Sequence, residues 1–270
     1  MSRVYNTDNA SDVAELRAMS ARGFAANQII PRLSTYGEQD ALDLGLQPLE
    51  SVPDVLVPKD SYKEVIEHCH KEKVFPLYWM YDSWCPAGTK WNQDGLGYCW
   101  TWSGTACVMT VRAAERKPLV QLSPVSMGFL VGWANRGNYL ESYIKGARET
   151  GITPASFVPN QHSPNPSSFK DGWEDARKLY LLDAVYDTSN RSKEVMTQHC
   201  ISILATGRPL FSALYWWGHA VPYMSVRWDD KLGLVWKIRN SHNEEDCIEL
   251  SGSRGVPDEA FGFVSTKVTE

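Results

Sequence analysis

The chain contains the stretch Gln93-Asp-Gly-Leu-Gly-Tyr-Cys99-Trp100-Thr-Trp102-Ser103, in which a loop rich in glycine leads into a cysteine. The residues after this cysteine include no proline up to position 114. Four of them recur at the spacing of one face of a buried helix: Trp102, Ala106, Met109 and Ala113. The spacing predicts a helix over Cys99–Ala114, and the proline and glycines of Tyr81–Tyr98 predict the loop before it.

Further helices are predicted on both sides of this one. Apolar spacing and capping residues favour helices near 11–22, over Tyr62–Lys73, from Leu140 to just before Gly151, over Trp173–Val185 and over Lys193–Thr206. Later residues are rich in Val, Leu, Tyr and Trp, which predicts strands over Leu210–Trp216, His219–Trp228 and Leu234–Arg239. Helices followed by antiparallel strands are typical of the α+β class.

Residues 1–75 differ in character from the rest. Between the two early helices the sequence is mostly irregular and contains Pro31, Pro48, Pro53 and Pro58. We expect residues 1–75 to form an N-terminal extension, and residues 76–270 to form the main domain. The extension fits either a pro-region or an arm that docks a protein assembly partner.

Composition excludes several classes of protein. The chain has 270 residues, of which 43% are hydrophobic and 22% charged, so it can bury a full core. Its net charge of -5 lacks the basic excess of nucleic-acid-binding proteins, and no apolar run approaches the length of a membrane span. The N-terminus has no signal-peptide pattern. We therefore expect no nucleic acid or membrane partner, and a protein that is cytoplasmic or assembled into a particle such as a virion.

The cysteines indicate free thiols. Six cysteines in 270 residues, with no pair at the spacing Cys-x-x-Cys, do not form a disulfide scaffold. His68, Cys69 and His70 do not converge on one side of a helix, which argues against a zinc site. We expect neither a metal nor another cofactor.

Cys99, His219 and Asn240 together carry the chemistry. A cysteine at a helix N-terminus beside an imidazolium has a lowered pKa, and its thiolate is a nucleophile. His219, which begins a predicted strand, can return a proton to a leaving amine. The side-chain carbonyl of Asn240 can orient the ring.

Gln93 can complete this site. Its side-chain amide and the Cys99 backbone N–H can form an oxyanion hole, in which one donor contributes roughly 3–4 kcal/mol. Each residue also has a purely structural interpretation: Cys99 as an inert buried thiol, His219 as a core histidine, Asn240 as a turn residue and Gln93 as a surface amide.

Four segments in order resemble the papain-like cysteine peptidases. These are the segment Gln93–Ser103, then Leu122-Ser123-Pro124 followed by Gly137-Asn138 and Tyr143–Ile152, then Gly218-His219-Ala220-Val221, and Trp236-Lys-Ile-Arg-Asn240-Ser241. Each segment alone is a weak signal, whereas four in register are specific. The resemblance covers Tyr81–Ser241.

The resemblance implies a two-lobed fold, with a helical lobe led by the Cys99 helix, a β-rich lobe carrying His219 and Asn240, and a cleft between them. It implies a Cys99 nucleophile, a His219 general base and acid, an Asn240 orienter and a Gln93 oxyanion donor, acting on a peptide or protein substrate. Two positions depart from the family. His242 replaces a tryptophan that shields the Asn–His hydrogen bond, and Leu96 replaces a cysteine of a family disulfide.

Two functions follow from these observations. The first is a cysteine-type peptidase that acts through an acyl-enzyme. The second is a structural or docking protein of a larger assembly, such as a virion component, that keeps the fold with a vestigial or accessory site. His242 and the long extension favour the second function, and the four intact site residues favour the first.

Overall fold

A computed structural model describes residues 3–21, 46–48, 55–188 and 192–267. Within these ranges the chain folds into seven α-helices and one eight-stranded sheet. This arrangement confirms the α+β class.

The helices precede most of the strands. They are α1 (Ala10–Ala21), α2 (Tyr62–Lys71), α3 (Pro76–Ser83), α4 (Cys99–Ala114), α5 (Leu140–Glu149), α6 (Trp173–Ala176) and α7 (Lys193–Ala205). Helix α4 is buried almost from end to end, as its apolar sequence predicts. A 3-10 helix over Pro124–Val131 lies between α4 and α5 and packs against both.

The strands form one mixed sheet. They are β1 (Val4–Asn6), β2 (Leu46–Pro48), β3 (Val185–Asp187), β4 (Leu210–Leu214), β5 (His219–Asp229), β6 (Gly233–Ile238), β7 (Ile248–Ser251) and β8 (Glu259–Phe263). Their order is β1-β7-β6-β5-β4-β8-β3-β2, with β4, β5, β6 and β7 antiparallel in sequence. Helix α4 packs against β5, so the helical and β-rich parts meet where α4 and β5 begin.

Most predicted elements lie within a few residues of their expected positions, and one prediction was wrong. The predicted helix over Trp173–Val185 is only α6 and a short 3-10 turn over Arg177–Leu179, and Val185 instead begins β3. The cause is tertiary pairing, because Val185 is hydrogen-bonded between β2 and β8 at the sheet. The predicted loop over Tyr81–Tyr98 begins later than expected, since α3 continues to Ser83.

The described parts of residues 1–75 join the sheet and the core. Strand β1 pairs in parallel with β7, and β2 pairs in parallel with β3, at opposite edges of the sheet. Ile66 and Cys69 of α2 belong to the core. The predicted irregular sequence around Pro31 and Pro53 lies outside the described residues.

None of the helices in the described ranges has the length and apolar character needed to cross a lipid bilayer.

Candidate active site

Cys99 lies at the first position of α4, at the junction of the two halves of the fold. Its side chain is 0% exposed. The thiol sulfur accepts a hydrogen bond from the backbone N–H of Ala220, at 3.4 Å. The donor follows His219 directly, so the start of β5 lies against the thiol.

His219 begins β5 after a tight turn. Gly218 has φ +66°, a left-handed conformation that glycine adopts without strain, and it turns the chain from β4 into β5. Trp217 packs edge-on against the imidazole, with ring centroids 4.9 Å apart. The histidine is fully buried, and within the described part of the chain its Nδ1 has no hydrogen-bond partner.

Asn240 lies just beyond β6, beside the start of β5. The backbone N–H of Arg239 donates to the Pro222 carbonyl at 3.1 Å, which continues the β5–β6 pairing and brings Asn240 next to His219. The Asn240 Oδ1 and His219 Nε2 are 2.8 Å apart. Because the oxygen only accepts, Nε2 carries the proton and Nδ1 keeps a lone pair.

Gln93 is tied to the same loop. Its backbone N–H donates to the Ser241 carbonyl at 2.8 Å, and its side-chain Oε1 accepts from the Ser241 hydroxyl. Its Nε2 donates to the Leu96 carbonyl at 2.6 Å. The structure therefore brings all four predicted site residues to one buried region where the helical and β-rich parts meet.

His242 stacks on a face of the His219 ring. The two imidazoles stack with centroids 4.6 Å apart and an angle of 23° between their planes. Residues 242 and 92 also form an antiparallel bridge that fixes this loop against the residue preceding Gln93. A histidine ring thus lies over the His219 imidazole.

The buried environment keeps the thiol and the imidazole neutral. Burial raises the pKa of the Cys99 thiol to about 12, although neighbouring backbone N–H groups act in the opposite direction. Burial, together with the nearby His242, holds the pKa of His219 well below its usual range. The shift of the Cys99 pKa is therefore opposite to the lowered thiol pKa expected from the sequence, because burial penalises the charged thiolate.

Helix α1 lies beside the site. The Arg17 guanidinium donates to the Trp216 carbonyl through Nε at 3.0 Å and Nη2 at 2.8 Å. Met19 lines a cavity together with His242 and Asn92. The extension thus contacts both the turn before His219 and the loop after Asn240.

Asn135 holds the loop before Cys99. Its side chain accepts from the Gly97 N–H and donates to the Gly95 carbonyl. These two hydrogen bonds fix the glycine-rich loop without a covalent link. All six cysteines lie within the described ranges, and each is a free, buried thiol.

Sequence reasoning missed the contribution of Glu244. Its Oε1 accepts from Asn240 Nδ2 at 2.8 Å, and its Oε2 accepts from the His242 N–H at 3.1 Å. In the sequence, the acidic run Glu244-Glu245-Asp246 is typical of a solvated turn. The signal for a contact with Asn240 is its position four residues before Glu244.

The described residues contain no group of three or more metal-ligating side chains that converge. The His70 ring contacts the Tyr78 hydroxyl and the Val226 carbonyl, whereas Cys69 points toward Ala205. These side chains pack within the fold rather than around a common point.

Solved structures of cysteine proteases share this architecture. Xylellain from Xylella fastidiosa matches with a TM-score of 0.59 and 17% identity, over 92% of this chain and 99% of that chain. A proCathepsin B from Trypanosoma congolense matches with a TM-score of 0.56 and 10% identity, over 96% of this chain and 99% of that chain.

The ragweed pollen cysteine protease Amb a 11 in its proform matches with a TM-score of 0.51 and 16% identity. That match covers 68% of this chain and 64% of the Amb a 11 chain, which is less than two thirds of its length. No family model matches the sequence, and no curated protein does. The structural matches show that the chain has the papain-like fold.

Proposed function

We propose that the chain is a cysteine-type peptidase in which Cys99 is the nucleophile, His219 the general base and acid, and Asn240 the orienter. The observation that supports this most directly is the buried hydrogen bond of 2.8 Å between His219 Nε2 and Asn240 Oδ1, next to a thiol at the N-terminus of a helix. It leaves His219 Nδ1 as the lone pair that can take a proton.

The reaction has two steps. His219 Nδ1 takes the Cys99 proton while the sulfur attacks the carbonyl carbon of a peptide bond, and the resulting imidazolium gives that proton to the leaving amine. Water then attacks the thioester, with His219 again as the base, and releases the carboxylic acid and the free thiol. Each step passes through a tetrahedral intermediate, whose oxyanion is stabilised by the Gln93 side-chain amide and the Cys99 backbone N–H.

The reaction requires the site to open. Four site side chains with 0% exposure leave no path for a peptide in the arrangement described here. We propose that residues 1–75 form an extension that controls access to a peptidase domain over residues 76–270. In the open site, entry of water lowers the desolvation cost of charge, so His219 Nδ1 can take the Cys99 proton and form a thiolate–imidazolium pair.

The alternative of a virion or assembly component gains no support from the comparisons, whose named proteins are cysteine proteases or their proforms. Six free cysteines favour a reducing compartment for this chain.

Peptide hydrolysis tests the proposal. A fluorogenic peptide library is incubated with the full chain and with Cys99→Ala, His219→Ala and Cys107→Ala, the last being a matched control for a buried thiol in the same helix. We expect the first two substitutions to lower kcat/KM by about a thousandfold or more, and the control to retain activity. Hydrolysis that survives Cys99→Ala overturns the proposal.

A further inference from the structure

Asn240 can orient His219 only if its own amide has one fixed orientation. The oxygen and the nitrogen of an asparagine side chain have nearly the same shape, so a rotation of 180° exchanges an acceptor for a donor. In the flipped orientation, the amide would present N–H groups to His219 Nε2. That ring nitrogen would then have to accept, and the proton would move to Nδ1, where it blocks removal of the thiol proton.

The carboxylate of Glu244 removes this ambiguity. It accepts from Asn240 Nδ2 at 2.8 Å, and an ionised carboxylate cannot donate a hydrogen bond. On the other side of the amide, Asn240 Oδ1 accepts from the Ser241 backbone N–H at 2.9 Å. The Glu244 carboxylate and the Ser241 N–H therefore favour the same orientation of the Asn240 amide.

The same carboxylate holds the ring that covers His219. Its second oxygen accepts from the His242 backbone N–H at 3.1 Å, and His242 stacks on His219 at 4.6 Å. Glu244 therefore contacts two of the residues that position the imidazole. A hydrogen bond to a charged acceptor is shorter and stronger than a neutral one, and it polarises the donor amide so that Oδ1 becomes a better acceptor.

We propose that Glu244 is a positioning residue that fixes the Asn240 amide and thereby the Nε2–H tautomer of His219. It does not touch the reacting atoms, and its effect passes through Asn240. This inference rests on the proposed peptidase function for its kinetic consequence, whereas its structural consequence, the tautomer, stands without it.

Other ionisable groups lie near Glu244 and could influence the same ring. Glu15 of α1, Asp94 of the loop before α4 and His242 line the cavity that Glu244 also lines. Tyr5 of β1 has its pKa raised by burial and, to a smaller extent, by Glu15 and Glu244. Glu244 differs from these neighbours because its carboxylate accepts hydrogen bonds from Asn240 Nδ2 and from the His242 N–H.

The test compares Glu244→Gln and Glu244→Ala with Glu245→Gln in the full chain. Glu245→Gln is the matched control, because it removes the same charge from the next residue in the chain. The Glu245 carboxylate is 69% exposed and lies 3.9 Å from the Lys90 ammonium. The first readout is the 15N chemical shifts of the His219 ring nitrogens at pH 7, which report the tautomer directly. The second is the rate at which Cys99 reacts with iodoacetamide.

We expect the Nε2–H tautomer in the wild type and in Glu245→Gln, and a mixture of tautomers in both Glu244 variants. We expect Cys99 to react about tenfold more slowly in the Glu244 variants than in the control. Glu244→Gln keeps the side-chain shape, so it decides the outcome if Glu244→Ala does not fold.

The outcomes separate the two claims. If the tautomer and the reaction rate of both Glu244 variants equal those of Glu245→Gln, the role of Glu244 is overturned and the peptidase proposal is untouched. If the tautomer changes in the Glu244 variants while Cys99 of the wild type is no more reactive than an ordinary thiol, the role of Glu244 holds and the proposed function fails.

Discussion

At the scale of the residue, the His219 imidazole is held on three sides. Asn240 binds its Nε2, Trp217 packs on its edge, and His242 stacks on its face. A histidine in the shielding position differs from a tryptophan because it can take a proton. Burial lowers the pKa of His242 to about 4, which keeps it neutral in the folded chain at neutral pH.

This lowered pKa makes stability depend on pH. Between pH 6.5 and pH 4 the unfolded chain binds a proton at residue 242 that the folded chain does not, so stability falls as the pH falls through this window. We expect the free energy of unfolding of His242→Phe to fall by about 2 kcal/mol less than that of the wild type when the pH is lowered from 7 to 4.5. Urea unfolding at both pH values measures the difference.

The wild type, unfolded in urea at the same two pH values, is the control for this prediction. A His242→Phe variant whose stability falls with pH as steeply as that of the wild type would contradict the lowered pKa.

The proximity of the four candidate residues was predictable because each has a sequence signal. Cys99 begins a helix pattern, His219 begins a strand pattern after a glycine, and Gln93 precedes the cysteine at family spacing. Glu244 was not predictable, since its contact with Asn240 depends on the path of a loop rather than on a periodic element. The complete burial of Cys99 and His219 was also not predictable from the sequence, because burial depends on the whole fold.

At the scale of the element, α4 depends on close approach of α5. A Cβ atom built on Gly104 would lie 2.3 Å from the Cε1 atom of Tyr143, whose ring is 0% exposed. The Tyr143 hydroxyl also bonds Thr105 Oγ1 at 3.0 Å, so the ring cannot move freely. Only glycine leaves room for this packing.

We expect Gly104→Ala to lower the free energy of unfolding by about 2 kcal/mol or more, because the added methyl group forces the two helices apart. Gly95→Ala is the matched control, since a Cβ there would meet nothing within 4 Å. Urea unfolding of both variants is the measurement, and equal stabilities would show that α5 can shift without cost.

Helix α1 is the element that contacts both sides of the site. Substitution of Arg17 by Ala removes both hydrogen bonds to the Trp216 carbonyl. We expect Arg17→Ala to raise the rate of Cys99 alkylation at pH 7 about fivefold, which corresponds to a loss of roughly 1 kcal/mol of closure. Peptide mapping by mass spectrometry identifies the alkylated cysteine.

Lys59→Ala is the control for Arg17→Ala. It also removes a positive charge from residues 1–75, but it breaks a surface ion pair with Glu194 rather than a contact of α1. This variant should alkylate at the wild-type rate. Equal rates for Arg17→Ala and the wild type would mean that α1 does not limit access to the thiol.

Elements with strong local patterns were predictable, whereas elements formed by pairing were not. Helix α4 has the predicted bounds, and β5 begins at the predicted histidine. Strands β1, β2 and β3 have three residues each, which is too short for an alternating pattern, and they exist because a neighbouring strand hydrogen-bonds to them. The same pairing explains why the helix expected over Trp173–Val185 ends early.

At the scale of the whole molecule, the described part of residues 1–75 contributes to both edges of the sheet. Strand β1 forms one edge and β2 the other, so the chain before residue 55 contacts the body at widely separated places. The site lies between the buried start of α4 and the start of β5.

The central claim is that Cys99 becomes an activated thiolate in partnership with His219. The most direct measurement is labelling of the native chain at pH 6–7 with a limiting amount of an epoxide thiol inhibitor, followed by mass spectrometry. Cys99→Ala and His219→Ala are the controls, and Arg17→Ala tests the same reaction with a loosened α1. Five other buried cysteines provide an internal comparison: Cys69, Cys85, Cys107, Cys200 and Cys247.

We expect the label to lie on Cys99 alone, with faster labelling in Arg17→Ala and little or none in His219→Ala. An absence of label in both the wild type and Arg17→Ala, or a label spread evenly over the six cysteines, would contradict an activated Cys99 and with it the proposed peptidase.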